Sequence, residues 1–113
     1  SAASDVYKRQ IMNQQAMMRK LMKMKQEMEE TQKEIAESEY EVSSGGIVTV
    51  TALGTKELIK IEISEDFEAE SKEDMELLAD SIVAACKKIY KEIDDETEEK
   101  MAKYSSLLGL GGF

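Results

Sequence analysis

Apolar positions in residues 11–38 recur with a helical period. Met17, Leu21, Met24, Met28, Thr31 and Ile35 follow one another at steps of 4, 3, 4, 3 and 4, one stripe with a single polar interruption. Ala, Lys, Gln and Glu surround it and are good helix formers, while Met18 and Met22 widen it. Between Tyr40 and Ile63 the period falls to two. Tyr40-Glu41-Val42 predicts a short strand, Ser43-Ser44-Gly45-Gly46 a flexible turn, and Ile47-Val48-Thr49-Val50-Thr51-Ala52-Leu53 a β-branched strand. Gly54-Thr55 punctuates the chain before Leu58-Ile59-Lys60-Ile61-Glu62-Ile63, whose Ile59, Ile61 and Ile63 share one face. Ser71-Lys72-Glu73-Asp74 reads as a helix start, a capping box with Asp in place of Glu. Beyond it Met75, Leu78, Ile82, Cys86, Ile89, Ile93, Thr97, Met101, Tyr104 and Leu108 step by three or four, up to Gly109-Leu110-Gly111-Gly112-Phe113, which holds helix poorly. The predicted fold is α+β in the order α-β-β-β-α, a three-stranded antiparallel sheet with two long helices and no internal repeat.

Length sharpens this picture. A seven-residue strand spans roughly 23 Å, whereas helices of about 28 and about 34 residues run roughly 42 and 51 Å. Neither helix fits on so small a sheet, so both must project as arms that pair with each other. A homodimer is the economical way to cover the remaining stripes and the open sheet face. Helix 1 enters the sheet at its C-terminal end and helix 2 leaves from its N-terminal end. The start of the first and the end of the second are therefore expected to meet far from the sheet.

Composition narrows the class. With 24 acidic and 15 basic side chains the net charge is -9, aromatic residues are 5%, and the 42% hydrophobic content suffices for one modest core. The chain contains no proline, which permits long unbroken helices. Cys86 is the single cysteine, which excludes an intrachain disulfide and suggests a reducing, cytoplasmic compartment. No apolar run approaches the roughly 20 residues needed to span a bilayer, so no membrane partner is expected. Residues 1–10, SAASDVYKRQ, resemble the read-through translation of a transposon-type sequencing adapter. They are expected to be a non-native leader, and Lys8 and Arg9 carry no argument here.

Several pieces match a known pattern in order: the Met/Gln/Lys-rich helix Gln15-Ala16-Met17-Met18-Arg19-Lys20-Leu21-Met22-Lys23-Met24; the turn and strand Gly45-Gly46-Ile47-Val48-Thr49-Val50-Thr51 with Gly54; Ile59-Lys60-Ile61-Glu62-Ile63 before an acidic linker; and the Leu/Gly-rich end Lys103-Tyr104-Ser105-Ser106-Leu107-Leu108-Gly109 onward. Residues 11–113 thus resemble the YbaB/EbfC family of nucleoid-associated proteins. The family's usual Ile-Asp-Pro after the last strand stands here as Ile63-Ser64-Glu65, and its common tail proline is absent. The resemblance implies a homodimer joined through the sheets, helical arms arranged like tweezers, and binding to duplex DNA in the bacterial nucleoid. It implies no catalysis.

The residues themselves supply candidate contacts. Residues 11–26 hold four cations, Arg19, Lys20, Lys23 and Lys25, and no acid, whereas residues 27–41 hold seven acids and only Lys33. Two copies would present about eight cations to a phosphate backbone. The alternative is neutralisation by the acids of residues 92–99 on helix 2, or plain solubility. Lys87, Lys88 and Lys91 form a second cluster, either a further DNA contact or a solvated flank. Contact with about 4–8 phosphates predicts a log K against log salt slope near -4 to -7, and no base-reading pattern stands out. The methionine stripe reads as core or dimer seam in preference to a peptide groove.

Nothing points to an enzyme. There is no histidine, Cys86 falls on an apolar stripe, and Gly45-Gly46 lies between strands instead of before a helix. No metal, cofactor or small-molecule substrate is expected. The competing class is a chaperone-like helix–hairpin–helix module that holds apolar segments on its helix ends. Bare apolar tips favour that reading and outward cations favour DNA.

Overall fold

A computed structural model describes residues 2–107. The helix α1, Ala2–Glu37, leads through Ser38 into β1, Glu39–Ser44; β2 is Val48–Leu53, β3 is Leu58–Ile63, and α2 is Lys72–Leu107. The three strands form one antiparallel sheet in the order β1-β2-β3, as the alternation predicts. Helix α1 begins at Ala2 instead of near residue 11, because nothing in residues 2–10 breaks a helix. The expected end of the apolar stripe at Leu108 and the glycine-rich tail lie outside the described residues.

The first hairpin turns through Gly45-Gly46-Ile47, where Gly45 and Gly46 take φ angles of 61° and 68° and Ile47 N–H donates to Ser44 O at 3.2 Å. Strand β1 consequently extends to Ser44, two residues further than the apolar alternation suggests. The second turn is closed by Leu53 N–H donating to Glu57 O at 2.9 Å, with Lys56 at φ 73°. The start of α2 is capped as expected. Asp74 N–H donates to Ser71 Oγ at 3.1 Å, and the Asp74 carboxylate accepts from Glu70 N–H at 2.9 Å.

One face of the sheet carries the core. Tyr40, Val48, Val50 and Ala52 pack beneath Ala85, Ile89 and Ile93 of α2, with Val42, Leu78, Ile82, Cys86 and Tyr90 around them. The buried line of α2 differs from the predicted stripe. Ser81 and Ala85 take its centre, Cys86 is half-buried, and Met75 is 55% exposed. Small side chains on that line let the helix sit close to the sheet, which turns the larger ones to its flanks. The opposite face bears Glu41, Ser43, Thr49, Thr51, Lys60 and Glu62, with the Ser43 and Thr49 hydroxyls 2.9 Å apart. That face is polar and needs no cover, so the bare apolar surface lies elsewhere.

It lies on β3. Ile61 and Ile63 pair with Val50 and Val48, on the core side of the sheet. A register shift opposite Thr51 and Ala52 brings Leu58 to the same side. Yet α2 packs chiefly on β1 and β2, so Leu58, Ile59, Ile61 and Ile63 stay 40–49% exposed.

The helices pair for only a short distance. Tyr104 Oη lies 3.4 Å from Thr31 Oγ1, and three residues later the described part of α2 ends. Helix α1 projects past that point for about 39 Å, with residues 3–23 exposed throughout. The molecule measures 90 × 25 × 15 Å, which fits two helices laid end to end with a short overlap. The start of α1 therefore does not meet α2 among the described residues. The reason is the connection: α1 joins β1 through one residue and keeps nearly all its length for the arm, whereas α2 spends its first half on the sheet.

Candidate nucleic-acid interface

The projecting part of α1 brings four of the seven candidate cations together. Arg19, Lys20, Lys23 and Lys25 are all exposed and, among the described residues, lie beyond the end of α2 at Leu107. Arg19 and Lys23, one turn apart, border a shallow open groove with Met22, Lys25, Gln26 and Glu29. Arg19 Nε donates to Gln15 O at 3.5 Å, a local contact that leaves its charge uncompensated.

The acids that could have neutralised this segment lie further along. Glu96 and Glu99 share a cleft with Thr31, Glu34, Lys100 and Lys103, abreast of the acidic half of α1. Among the described residues the ion pairs are Lys56–Asp94 at 2.8 Å, Lys60–Glu62, Lys91–Asp95 at 2.7 Å and Lys100–Glu96 at 3.1 Å. None engages a cation of residues 11–26. The charge segregation along α1 thus survives folding because the helical overlap stops before it reaches the cations.

The second cluster sits differently. Lys87, Lys88 and Lys91 are exposed on α2. Lys91 is bonded to Asp95, which holds its ammonium above the usual lysine range. Lys88 and Lys91 border a cleft that also contains Glu41, Glu92 and Asp95. An incoming phosphate would meet carboxylates there as well as ammoniums.

Where arm and sheet join, Tyr40 is buried beside Glu96. Burial, followed by the neighbouring Glu96 carboxylate, pushes the phenol up to about 12, while the phenol and Lys100 hold Glu96 below the usual carboxylate range. Gly54 N–H donates to Ser38 O at 3.0 Å in the same joint. Among the described residues no cluster of His, Cys, Asp or Glu is arranged to hold a metal ion, and no helix is long and apolar enough to cross a membrane.

Sequence reasoning placed the cations and missed the bare strand. Ile59, Ile61 and Ile63 were legible as one apolar face, but only the position of α2 leaves that face open.

An α+β body with a long, unpartnered cationic helix defines a binding protein. The chain belongs to the YbaB/EbfC DNA-binding family, whose model matches residues 10–108, and this family is not one of enzymes. A nucleoid-associated protein of Clostridium novyi is 39% identical over 102 residues, covering 89% of this chain and 88% of the relative. One of Oceanobacillus iheyensis is 35% identical over 101 residues, covering 88% and 95% respectively. The crystal structure of an uncharacterized protein from Helicobacter pylori superposes with a TM-score of 0.54 at 24% identity, over 70% of this chain and 90% of that one. That likeness concerns the fold.

Proposed function

We propose that this protein is a homodimeric nucleoid-associated protein of the bacterial cytoplasm that binds duplex DNA through phosphate contacts from its helical arms. Arg19, Lys20, Lys23 and Lys25 make the principal contacts, and Lys87, Lys88 and Lys91 are secondary. Its role is the organisation of the nucleoid or the regulation of genes within it. The observation that carries the reading is the exposed, acid-free cation cluster on a helix that reaches beyond the rest of the fold, in a chain of a DNA-binding family. The uncovered strand β3 supports a dimer joined through the sheet.

Net charge sets the mode of binding. A chain at -9 is repelled by DNA at long range, so attraction is confined to the arms and falls steeply with salt. Backbone contacts of this kind carry little sequence information.

A gel-shift titration at two salt concentrations tests the reading. The slope of log K against log salt should lie near -4 to -7, and replacing Arg19, Lys20 and Lys23 by Ala should flatten it by about 3 for each engaged arm. Binding that ignores salt, or that is unchanged in the triple variant, overturns it. In that event the exposed Met17, Met18, Leu21 and Met22 on the same arm favour the holding of apolar segments.

A further inference from the structure

We infer that the exposed methionines of the arm, Met12, Met17, Met18 and Met22, form a reversible oxidation site, and that their conversion to sulfoxides weakens the hold of the arm on DNA. This rests on the arm contacts proposed above and adds a chemical control over them.

Methionine is unevenly distributed along the chain. Of its eight methionines, Met12, Met17, Met18, Met22, Met24 and Met28 fall within residues 12–28, the stretch that also carries Arg19, Lys20, Lys23 and Lys25. The fold then sorts them by access. Met24 and Met28, on the line that leads through Thr31 to the buried Ile35, are half-buried, as is Met101. Met12, Met17, Met18 and Met22 are 62–68% exposed.

Packing accounts for the first group and not for the second. Met18 and Met22 stand about a quarter to a third of a turn round the helix from the line of Met28 and Ile35. A solvated helix gains little from an apolar side chain at such positions, where Lys, Gln or Glu forms helix as well. What sets the thioether apart is its chemistry: the sulfur carries a nucleophilic lone pair and gives up two electrons reversibly.

The oxidant is a two-electron oxygen donor of the hypohalous acid class. With hypochlorous acid, the methionine Sδ lone pair attacks the oxygen. The S–O bond forms as the O–Cl bond breaks, chloride leaves with the bonding pair, and the hydroxyl proton passes to water. Sulfur is oxidised by two electrons and chlorine is reduced by two. A dithiol-dependent sulfoxide reductase reverses the change, releasing the oxygen as water while its two thiols become a disulfide. Among the described residues the one other well-exposed thioether is Met75, near the start of α2. The core around Val50 and Ile89 contains no methionine, so the body of the fold survives a treatment that modifies the arm.

The arm is where such a change has most effect. A sulfoxide is polar and bulkier than the flexible thioether and suits a helix less well. Residues 3–23 are exposed throughout and hold their helix chiefly by their own hydrogen bonds, with little packing to offset the loss. Several sulfoxides therefore fray the segment that presents Arg19, Lys20 and Lys23, and binding has to order it again at a cost in affinity. No charge is removed, so the number of phosphates engaged in the complex stays the same. Oxidation thus differs from loss of a cation: it lowers affinity without flattening the salt dependence.

Gel-shift titrations of the full-length protein test this. A Cys86→Ser background removes the competing thiol. Hypochlorous acid is added until peptide mass spectrometry finds one oxygen on each of the four methionines, and every protein is compared with itself before treatment. The oxidised protein should bind duplex DNA about tenfold more weakly, as expected where four positions each lose a fraction of the helix-propensity range. The slope of log K against log salt should not change. Methionine sulfoxide reductase with dithiothreitol should restore the affinity, and a failure to do so overturns reversibility. Combining Met12→Leu, Met17→Leu, Met18→Leu and Met22→Leu should abolish the loss, whereas Met75→Leu should leave it in place. Affinity untouched by the four sulfoxides, an equal loss in the four-leucine variant, or a flattened salt slope overturns the proposal.

Hydrogen exchange separates this proposal from the DNA reading on which it rests. Amides of residues 12–22 should exchange severalfold faster after oxidation, and those of residues 85–93 at an unchanged rate. No change along the arm overturns the oxidation site even where DNA binding holds. A protein that binds no duplex before oxidation defeats the phosphate-contact reading, and the exchange rates then decide the oxidation site by themselves.

Discussion

Gly54 governs the angle at which the arm leaves the sheet. A Cβ at that position would lie 1.8 Å from Ile35 O, far inside van der Waals contact, and the neighbour is backbone that cannot swing aside. Gly54→Ala should therefore destabilise the fold by about 3 kcal/mol, read as a lowered urea midpoint at unchanged slope. Gly46 has open space around it but a φ of 68°, so its requirement is conformational instead of steric. Tyr40 makes a second residue-scale test. Its phenol is raised from 10.0 to about 12, and a raised folded pKa gives stability that is complete below the unfolded value and disappears as pH climbs through the folded one. Alkaline unfolding should accordingly set in between pH 10.0 and about 12, with one tyrosine ionising late by near-ultraviolet absorbance. Tyr40→Phe should remove both signals. A Tyr40 that ionises at the ordinary value of 10.0 would contradict this.

At the level of elements, the two helices share a length of 36 residues and divide it differently. α2 packs on the sheet through Ser81, Ala85, Ile89 and Ile93, a line that the sequence half discloses. Apolar positions at steps of three and four identify the helix, but which of two adjacent lines faces the sheet depends on how closely the backbones approach. The Lys87, Lys88 and Lys91 cluster shows the same limit. It reads as basic in sequence, yet packing against β1 sets Lys88 and Lys91 among Glu41, Glu92 and Asp95. Replacing these three lysines by Ala should change DNA affinity no more than about threefold at physiological salt. The Arg19, Lys20 and Lys23 variant should lose far more, and comparable losses in paired titrations would argue that α2 shares the interface. Helix α1 shows the opposite case, since its cations keep in three dimensions the segregation visible along the chain.

Over the whole molecule, stability is distributed unevenly. The core sits between α2 and two strands, whereas residues 3–23 of α1 are exposed throughout and rely chiefly on helical hydrogen bonds, which are marginal in water. Hydrogen exchange should reflect this: amides of residues 5–22 should exchange within about two orders of magnitude of unfolded rates, and those of residues 85–93 only with global unfolding. Addition of duplex DNA should slow the first set and leave the second unchanged. Uniform protection along α1 without DNA would mean that a further contact covers the arm.

Sequence alone determined the element order, the alternation of β2 and β3, the cap at Ser71 and the position of the cation cluster, because each depends on residues within a turn or two of one another. Tertiary structure decided the rest. The connection through Ser38 leaves residues 3–23 of α1 exposed, so Arg19, Lys20, Lys23 and Lys25 lie clear of the acids of α2 among the described residues. The seating of α2 on β1 and β2 leaves Ile59, Ile61 and Ile63 without a cover. Neither outcome is written in local pattern, since an apolar face records only that it should be buried, and the placement of a helix far along the chain settles what buries it.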